Sequence, residues 1–254
     1  MRVSRLEFID VAFFYESAGA PVFEGLSVEV SAGWTGIIGP NGAGKTTLFH
    51  LMSGFLTPDK GQIFCGDVSI AGRPPWSIAR LGIGRLFQDV RVFEGLSSLE
   101  NVLIGCPARY GENPVSALFR RRAIRLQEKE LSDVAWRWLT FVGLKEYAAT
   151  PARALSYGQR KLLAFARLLA CDPRVLLLDE PTAGISPAAV PQLLELIKNL
   201  AHEKRTVLVI EHNMNVVFEI ADWVYFIDEG QIAVVGTPND VLGSPSVRQA
   251  YLGL

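Results

Sequence analysis

The chain has 254 residues, 49% of them apolar, and a formal net charge of −1. That length supports a sizeable core, as one large domain or a domain plus a smaller lobe. The near-neutral balance lacks the basic excess of a nucleic-acid binder, and no apolar run approaches membrane-spanning length.

Two strands open the chain, around residues 6–14 and 26–30, with the turn residues Ala18-Gly19-Ala20-Pro21 between them. Arg5, Glu7 and Asp10 break up the N-terminal segment, so it does not read as a secretion signal and the protein is expected in the cytosol. The apolar residues 34–38 then run into Gly39-Pro40-Asn41-Gly42-Ala43-Gly44-Lys45-Thr46-Thr47. This fits G-x-x-x-x-G-K-[ST], the phosphate-binding loop of nucleoside triphosphatases, and its strand–loop–helix setting is the context the motif requires. Glycines let the backbone wrap closely around phosphate oxygens with consecutive amides pointing at the ligand. The helix N-terminus adds partial positive charge, Lys45 suits the β/γ-phosphates, and the Thr46 hydroxyl suits Mg²⁺. The helix should end near Gly54, a C′ position.

Thr57-Pro58-Asp59-Lys60-Gly61 is turn chemistry, followed by a strand at 62–65 and another at 83–87 that leads into Gln88. Residues 95–150 change character, with helical periodicity, the run Arg120-Arg121-Arg122 and no convincing strand. They predict a helical lobe inserted into an α/β core, with the arginines on a solvated face or against a partner or lipid head groups. Leu155-Ser156-Tyr157-Gly158-Gln159 follows, where Ser156 and Gln159 form an S-x-x-Q capping box opening a helix to about residue 171. A buried strand at 175–178 ends in Asp179-Glu180. Two carboxylates at such a strand end are expensive to bury unless they serve a metal or a reaction. Asp179 suits the Mg²⁺ shell, and Glu180, pointing elsewhere, suits polarisation of an attacking water. Ser186-Pro187 predicts a helix start with Pro at N1. A strand at 206–210 precedes His212, and a hairpin of strands 224–227 and 232–235 turns through Asp228-Glu229-Gly230-Gln231. Helices alternating with apolar strands indicate a largely parallel sheet. Cys65, Cys106 and Cys171 form no C-x-x-C pair and are expected as reduced, buried small residues.

These motifs, in this order, resemble the ATP-binding-cassette (ABC) family over essentially the whole chain. The carriers are Tyr15, about 25 residues before the loop, the loop itself, Gln88 in Arg85-Leu86-Phe87-Gln88-Asp89, the signature Ser156-Tyr157-Gly158-Gln159, Asp179-Glu180 and His212. The resemblance implies a P-loop NTPase core with a mostly parallel sheet, an N-terminal antiparallel β subdomain and an inserted helical subdomain. The core would take residues 1–88 and 151–254, and the helical subdomain 89–150, continuing into the signature helix. It further implies a head-to-tail dimer holding two ATP molecules, each between the phosphate loop of one subunit and the signature of the other. Tyr15 would stack on adenine, a role for which Phe13 and Phe14 compete, and residues 39–47 would hold the phosphates. Thr46, Gln88 and Asp179 would hold Mg²⁺. Glu180, His212, Gln88 and Lys45 would carry catalysis. Two positions depart from the family pattern, which usually has Gly where Tyr157 stands and Asp where Ser186 stands.

Finer resemblance points to the ATPase subunits of branched-chain amino acid importers and their amide and urea relatives. It rests on Phe87-Gln88-Asp89-Val90-Arg91-Val92-Phe93, Leu99-Glu100-Asn101-Val102, Ile210-Glu211-His212-Asn213-Met214, Gly236-Thr237-Pro238 and Ala250-Tyr251-Leu252-Gly253. Such a protein would pair with a second ATPase subunit on two membrane permeases, at the cytoplasmic face of the inner membrane. An extracytoplasmic solute-binding protein would serve it indirectly, and no nucleic acid is expected. The alternatives are the ATPase of a lipid or lipopolysaccharide exporter, which shares several of these segments, and a cassette ATPase of repair or translation.

Overall fold

A computed structural model describes residues 5–16, 20–31, 33–107, 121–201 and 205–252. Arg120 and Gly253 therefore lie outside the described residues, as do Ala18 and Gly19. Of Arg121 and Arg122 only the helical backbone is described. The chain packs as two compact units.

The first unit takes Met1–Gln88, Pro173–Ala183 and Ile197–Leu254. It contains two sheets. One is antiparallel, ordered β2-β1-β4-β5, from β1 (Leu6–Phe13), β2 (Phe23–Val30), β4 (Lys60–Cys65) and the short β5 (Val68–Ser69). In β2 the apolar Phe23, Leu26, Val28 and Val30 are buried, and the intervening Glu24, Ser27 and Glu29 face out. That is the pattern of a sheet with one wet face.

The second sheet is ordered β10-β9-β3-β8-β7-β6. Its strands are β3 (Gly33–Ile38), β6 (Ile83–Leu86), β7 (Val175–Asp179), β8 (Thr206–Ile210), β9 (Trp223–Asp228) and β10 (Gln231–Gly236). All neighbours run parallel except the β9–β10 hairpin, whose Glu229 and Gly230 both take positive φ, as a two-residue primed turn needs. β7 and β8 are buried at every position, which is why they read as continuous apolar runs rather than alternations. The register aligns the carboxyl ends of β3, β8, β7 and β6, with Ile37 beside Ile210, Ile210 beside Asp179, and Leu178 beside Leu86. Those ends are where open α/β sheets bind ligands.

Helices α1 (Lys45–Met52), α2 (Pro75–Arg80), α7 (Met214–Ile220), α8 (Pro238–Gly243) and α9 (Pro245–Leu252) complete this unit. α1 ends as expected, with Ser53 at the C-cap and Gly54 left-handed after it.

The second unit takes Asp89–Asp172 and Gly184–Leu196 and is helical. It holds α3 (Ser98–Gly105), α4 (Arg121–Phe141), 3₁₀ turns at Lys145–Tyr147 and Ala152–Ala154, and α5 (Tyr157–Ala170). Buried Asn101 fastens its entry segment: Oδ1 accepts from the Phe93 amide at 2.8 Å, and Nδ2 donates to the carbonyls of Phe93, Leu96 and Ser97. Both α3 and α5 begin with a complete capping box, Ser97 with Glu100 and Ser156 with Gln159. α6 (Val190–Ala201) carries the chain back to the first unit. It starts later than Ser186-Pro187 predicts. Pro191 has no N–H to donate to the Pro187 carbonyl, so the ladder cannot form there, and residues 187–189 make a turn instead. Cys106 is buried as expected, Cys65 is half-buried, and Cys171 is exposed.

Candidate functional site

The loop between β3 and α1 is built by glycines where no side chain fits. A Cβ on Gly39 would stand 2.0 Å from the Ile227 carbonyl oxygen, and one on Gly44, at φ +100°, would meet the Phe23 ring at 2.7 Å. Gly44 is also the N-cap of α1, with no side-chain cap. The first amides of the helix are thus left to an incoming acceptor, with the positive end of the dipole behind them. Lys45 is buried, and its Nζ donates to the carbonyls of Gly39 at 2.7 Å and Pro40 at 2.8 Å. Burial pushes its pKa down, while Glu180 and Asp179 pull it back up.

Tyr15, Asn41, Gly42, Gly44, Lys45, Thr46, Thr47, Glu180 and His212 line one open cleft. Tyr15 stands on its rim, its hydroxyl 3.1 Å from Thr47 Oγ1 and its ring edge-on to Phe13 at 4.9 Å. Thr46 is exposed.

Glu180 lies one residue beyond β7 with φ +47°, a left-handed backbone held by its amide donating to the Ile210 carbonyl at 2.9 Å. Its carboxylate meets partners other than those of Asp179. Gln88 Nε2 donates to Oε2 at 3.0 Å, and His212 Nε2 lies 2.9 Å from Oε1. The ends of β6 and β8 therefore grip the acid at the end of β7 from either side. Asp179 itself is buried and ion-paired to Arg85 at 2.8 Å.

The structure thus brings together Tyr15, the phosphate loop, Gln88, Asp179, Glu180 and His212 in the first unit. The signature residues Ser156, Tyr157, Gly158 and Gln159 belong to the second, where Ser156 and Tyr157 are exposed at the start of α5. The Tyr157 ring lies against Gly184, where a Cβ would come within 2.3 Å of it.

Sequence reasoning assigned no role to two residues. Buried Glu211 accepts from the amide and hydroxyl of Thr182 at 2.8 and 2.6 Å, tying the turn after Glu180 to the end of β8. Arg85 was visible only as a letter before Phe87-Gln88. A buried acid beside His212 and an arginine inside a short strand were the available signals, since such charges are rarely buried without a partner.

Thr46, Gln88 and Asp179 offer only oxygen and amide donors, the hard set that suits Mg²⁺. Among the described residues no cluster of three or more His, Cys, Asp or Glu is arranged to hold a metal. One or two protein ligands with phosphate oxygens making up the rest is the usual Mg²⁺ arrangement. The donor set fits.

The family model described as ABC transporter matches residues 23–183. The chain is 41% identical over 218 residues, 85% of its length and 86% of the relative's, to the high-affinity branched-chain amino acid transport ATP-binding protein BraF of Pseudomonas aeruginosa. It is 37% identical over 233 residues, 91% of its length and 90% of the relative's, to the lipopolysaccharide export system ATP-binding protein LptB of Acidithiobacillus ferridurans. Among solved structures it resembles the ADP conformation of an ATP-binding cassette of an ABC transporter, with a TM-score of 0.82, 32% identity and full coverage of both chains.

Proposed function

The chain belongs to the ABC transporter family, and from that premise we propose that it is an ATP-hydrolysing subunit powering import of branched-chain amino acids or similar small polar solutes. The supporting observation for hydrolysis is the position of Glu180, gripped by Gln88 and His212 on the cleft lined by Lys45 and Thr46. Import is favoured over export by the likeness to BraF.

The residues divide the work. Backbone amides at residues 42–46 and the Lys45 ammonium take up phosphate charge, and Tyr15 supports adenine. Thr46, Asp179 and Gln88 would hold Mg²⁺, which when bound neutralises charge on the β- and γ-phosphates. Glu180 orients and polarises the attacking water, while His212 keeps the carboxylate turned toward it. Such catalysis is mostly positioning and electrostatics, since phosphoryl transfer asks little covalent chemistry of the protein. The start of α5, capped at Ser156, suits a γ-phosphate supplied by a partner subunit in a head-to-tail dimer. No helix among the described residues is long and apolar enough to cross a membrane, so permease subunits would anchor the protein at the cytoplasmic face of the inner membrane. The second unit is the part we assign to docking them.

The test is to trap a tagged Glu180→Gln variant with MgATP in native membranes and identify what co-purifies in detergent. Two polytopic permeases with a second ATPase subunit support the importer. A lipid-export permease redirects the reading to export, and capture of soluble partners or nucleic acid alone refutes transport.

A further inference from the structure

Arg85 stands in register with Leu177 on the neighbouring strand. Its side chain therefore rises on the same face of the sheet as Asp179, one pleat further along. Nη2 donates to Asp179 Oδ2 at 2.8 Å, and both side chains are only 4% exposed. Nη1 donates to Ser53 Oγ at 3.2 Å, in the residue that caps the end of α1. The guanidinium carbon lies 4.8 Å from the Phe87 ring centroid and 5.7 Å from that of Phe49. One buried cation thus touches the phosphate-loop helix, the acid at the end of β7, and the residue before Gln88.

A buried carboxylate without a counter-charge attracts a divalent cation strongly, because little solvent screens it. Arg85 occupies one oxygen of that carboxylate and offsets its charge. We propose that Arg85 is a positioning residue that makes metal binding at Asp179 conditional on nucleotide. With Arg85 in place, Asp179 alone holds the ion weakly, and phosphate oxygens must supply the rest of the attraction. The hold of Asp179 on a divalent cation would then depend on whether nucleotide is bound. Lys45 cannot do this alone, since its ammonium donates to the loop carbonyls of Gly39 and Pro40. This inference rests on the reading that Asp179 faces the metal.

The test uses Mn²⁺ as the probe, its free fraction counted by electron paramagnetic resonance with the full chain and no nucleotide. Arg85→Gln keeps a donor to Asp179 and drops the charge. It should bind Mn²⁺ at least about tenfold more tightly than the wild type. Adding Asp179→Asn to that variant should abolish the gain, and Arg85→Lys, which keeps the charge, should retain the weak wild-type affinity. Wild-type affinity in a folded Arg85→Gln protein overturns the proposal. So does an equal tightening in Arg85→Lys, which also serves if the Gln variant fails to fold. Asp179→Asn alone, tested with a non-hydrolysable ATP analogue, separates the premise from the inference. Unchanged Mn²⁺ affinity there would mean that Asp179 does not face the metal.

Discussion

Glu180 has both carboxylate oxygens engaged, by Gln88 and by His212, and that geometry separates binding from turnover. Glu180→Gln preserves the shape of the cleft and removes the proposed base. It should bind a fluorescent ATP analogue as the wild type does while releasing phosphate about 10²–10⁴-fold more slowly. Near-wild-type release would remove Glu180 from its role. Lys45→Ala should instead lose nucleotide affinity, and calorimetry returning an unchanged value would refute the phosphate-loop assignment. Cys106 offers a different residue-scale test. Burial pushes its thiol from 9.0 up to about 11. Between those values the folded chain holds a proton that the unfolded chain has lost, so stability falls as pH rises through that window. The advantage of the wild type over Cys106→Ala in urea denaturation should therefore shrink from pH 9 toward pH 11. An advantage constant across that range would contradict the shift.

Gly105 closes α3 directly on α5, since a Cβ there would stand 2.3 Å from the Arg167 carbonyl oxygen. Backbone cannot yield as a flexible side-chain tip would. Gly105→Ala should destabilise the second unit by about 1–3 kcal/mol through overpacking, seen as a lower melting temperature, with nucleotide affinity in the cleft unchanged. A variant that melts like the wild type would show that the helices part without cost. Capping was legible in the sequence at Ser156 because both members of the box lie three residues apart. The start of α6 was not, because Pro191 acts through a hydrogen bond it fails to make four residues back. Gly105 and Arg85 were unreadable for a related reason: their partners, Arg167 and Asp179, are set by packing and by strand order rather than by spacing. The short helices α2, α7 and α8 have too few turns to show a period.

Across the whole molecule, the motifs occur in the chain as loop, Gln88, Asp179-Glu180 and His212, whereas the sheet runs β3-β8-β7-β6. The sequence named these candidate groups one by one. Only the topology brought His212 and Gln88 to opposite sides of Glu180. Because the cleft is assembled from the ends of several strands of the first unit, occupying it should stabilise that unit. Nucleotide at 100 times its dissociation constant should add about 2.7 kcal/mol, measured by denaturant unfolding with the Glu180→Gln variant. An unaltered midpoint would mean that the cleft is not the binding site. The left-handed backbone at Glu180 also has an evolutionary side. Alanine and glycine at 180 both delete the acid, yet only glycine takes that conformation freely, so Glu180→Gly should outlast Glu180→Ala by about 1–2 kcal/mol, opposite to the usual order of the two residues. Of two replacements that both lack the carboxylate, a laboratory lineage rewarded for heat resistance alone would then keep the glycine and discard the alanine.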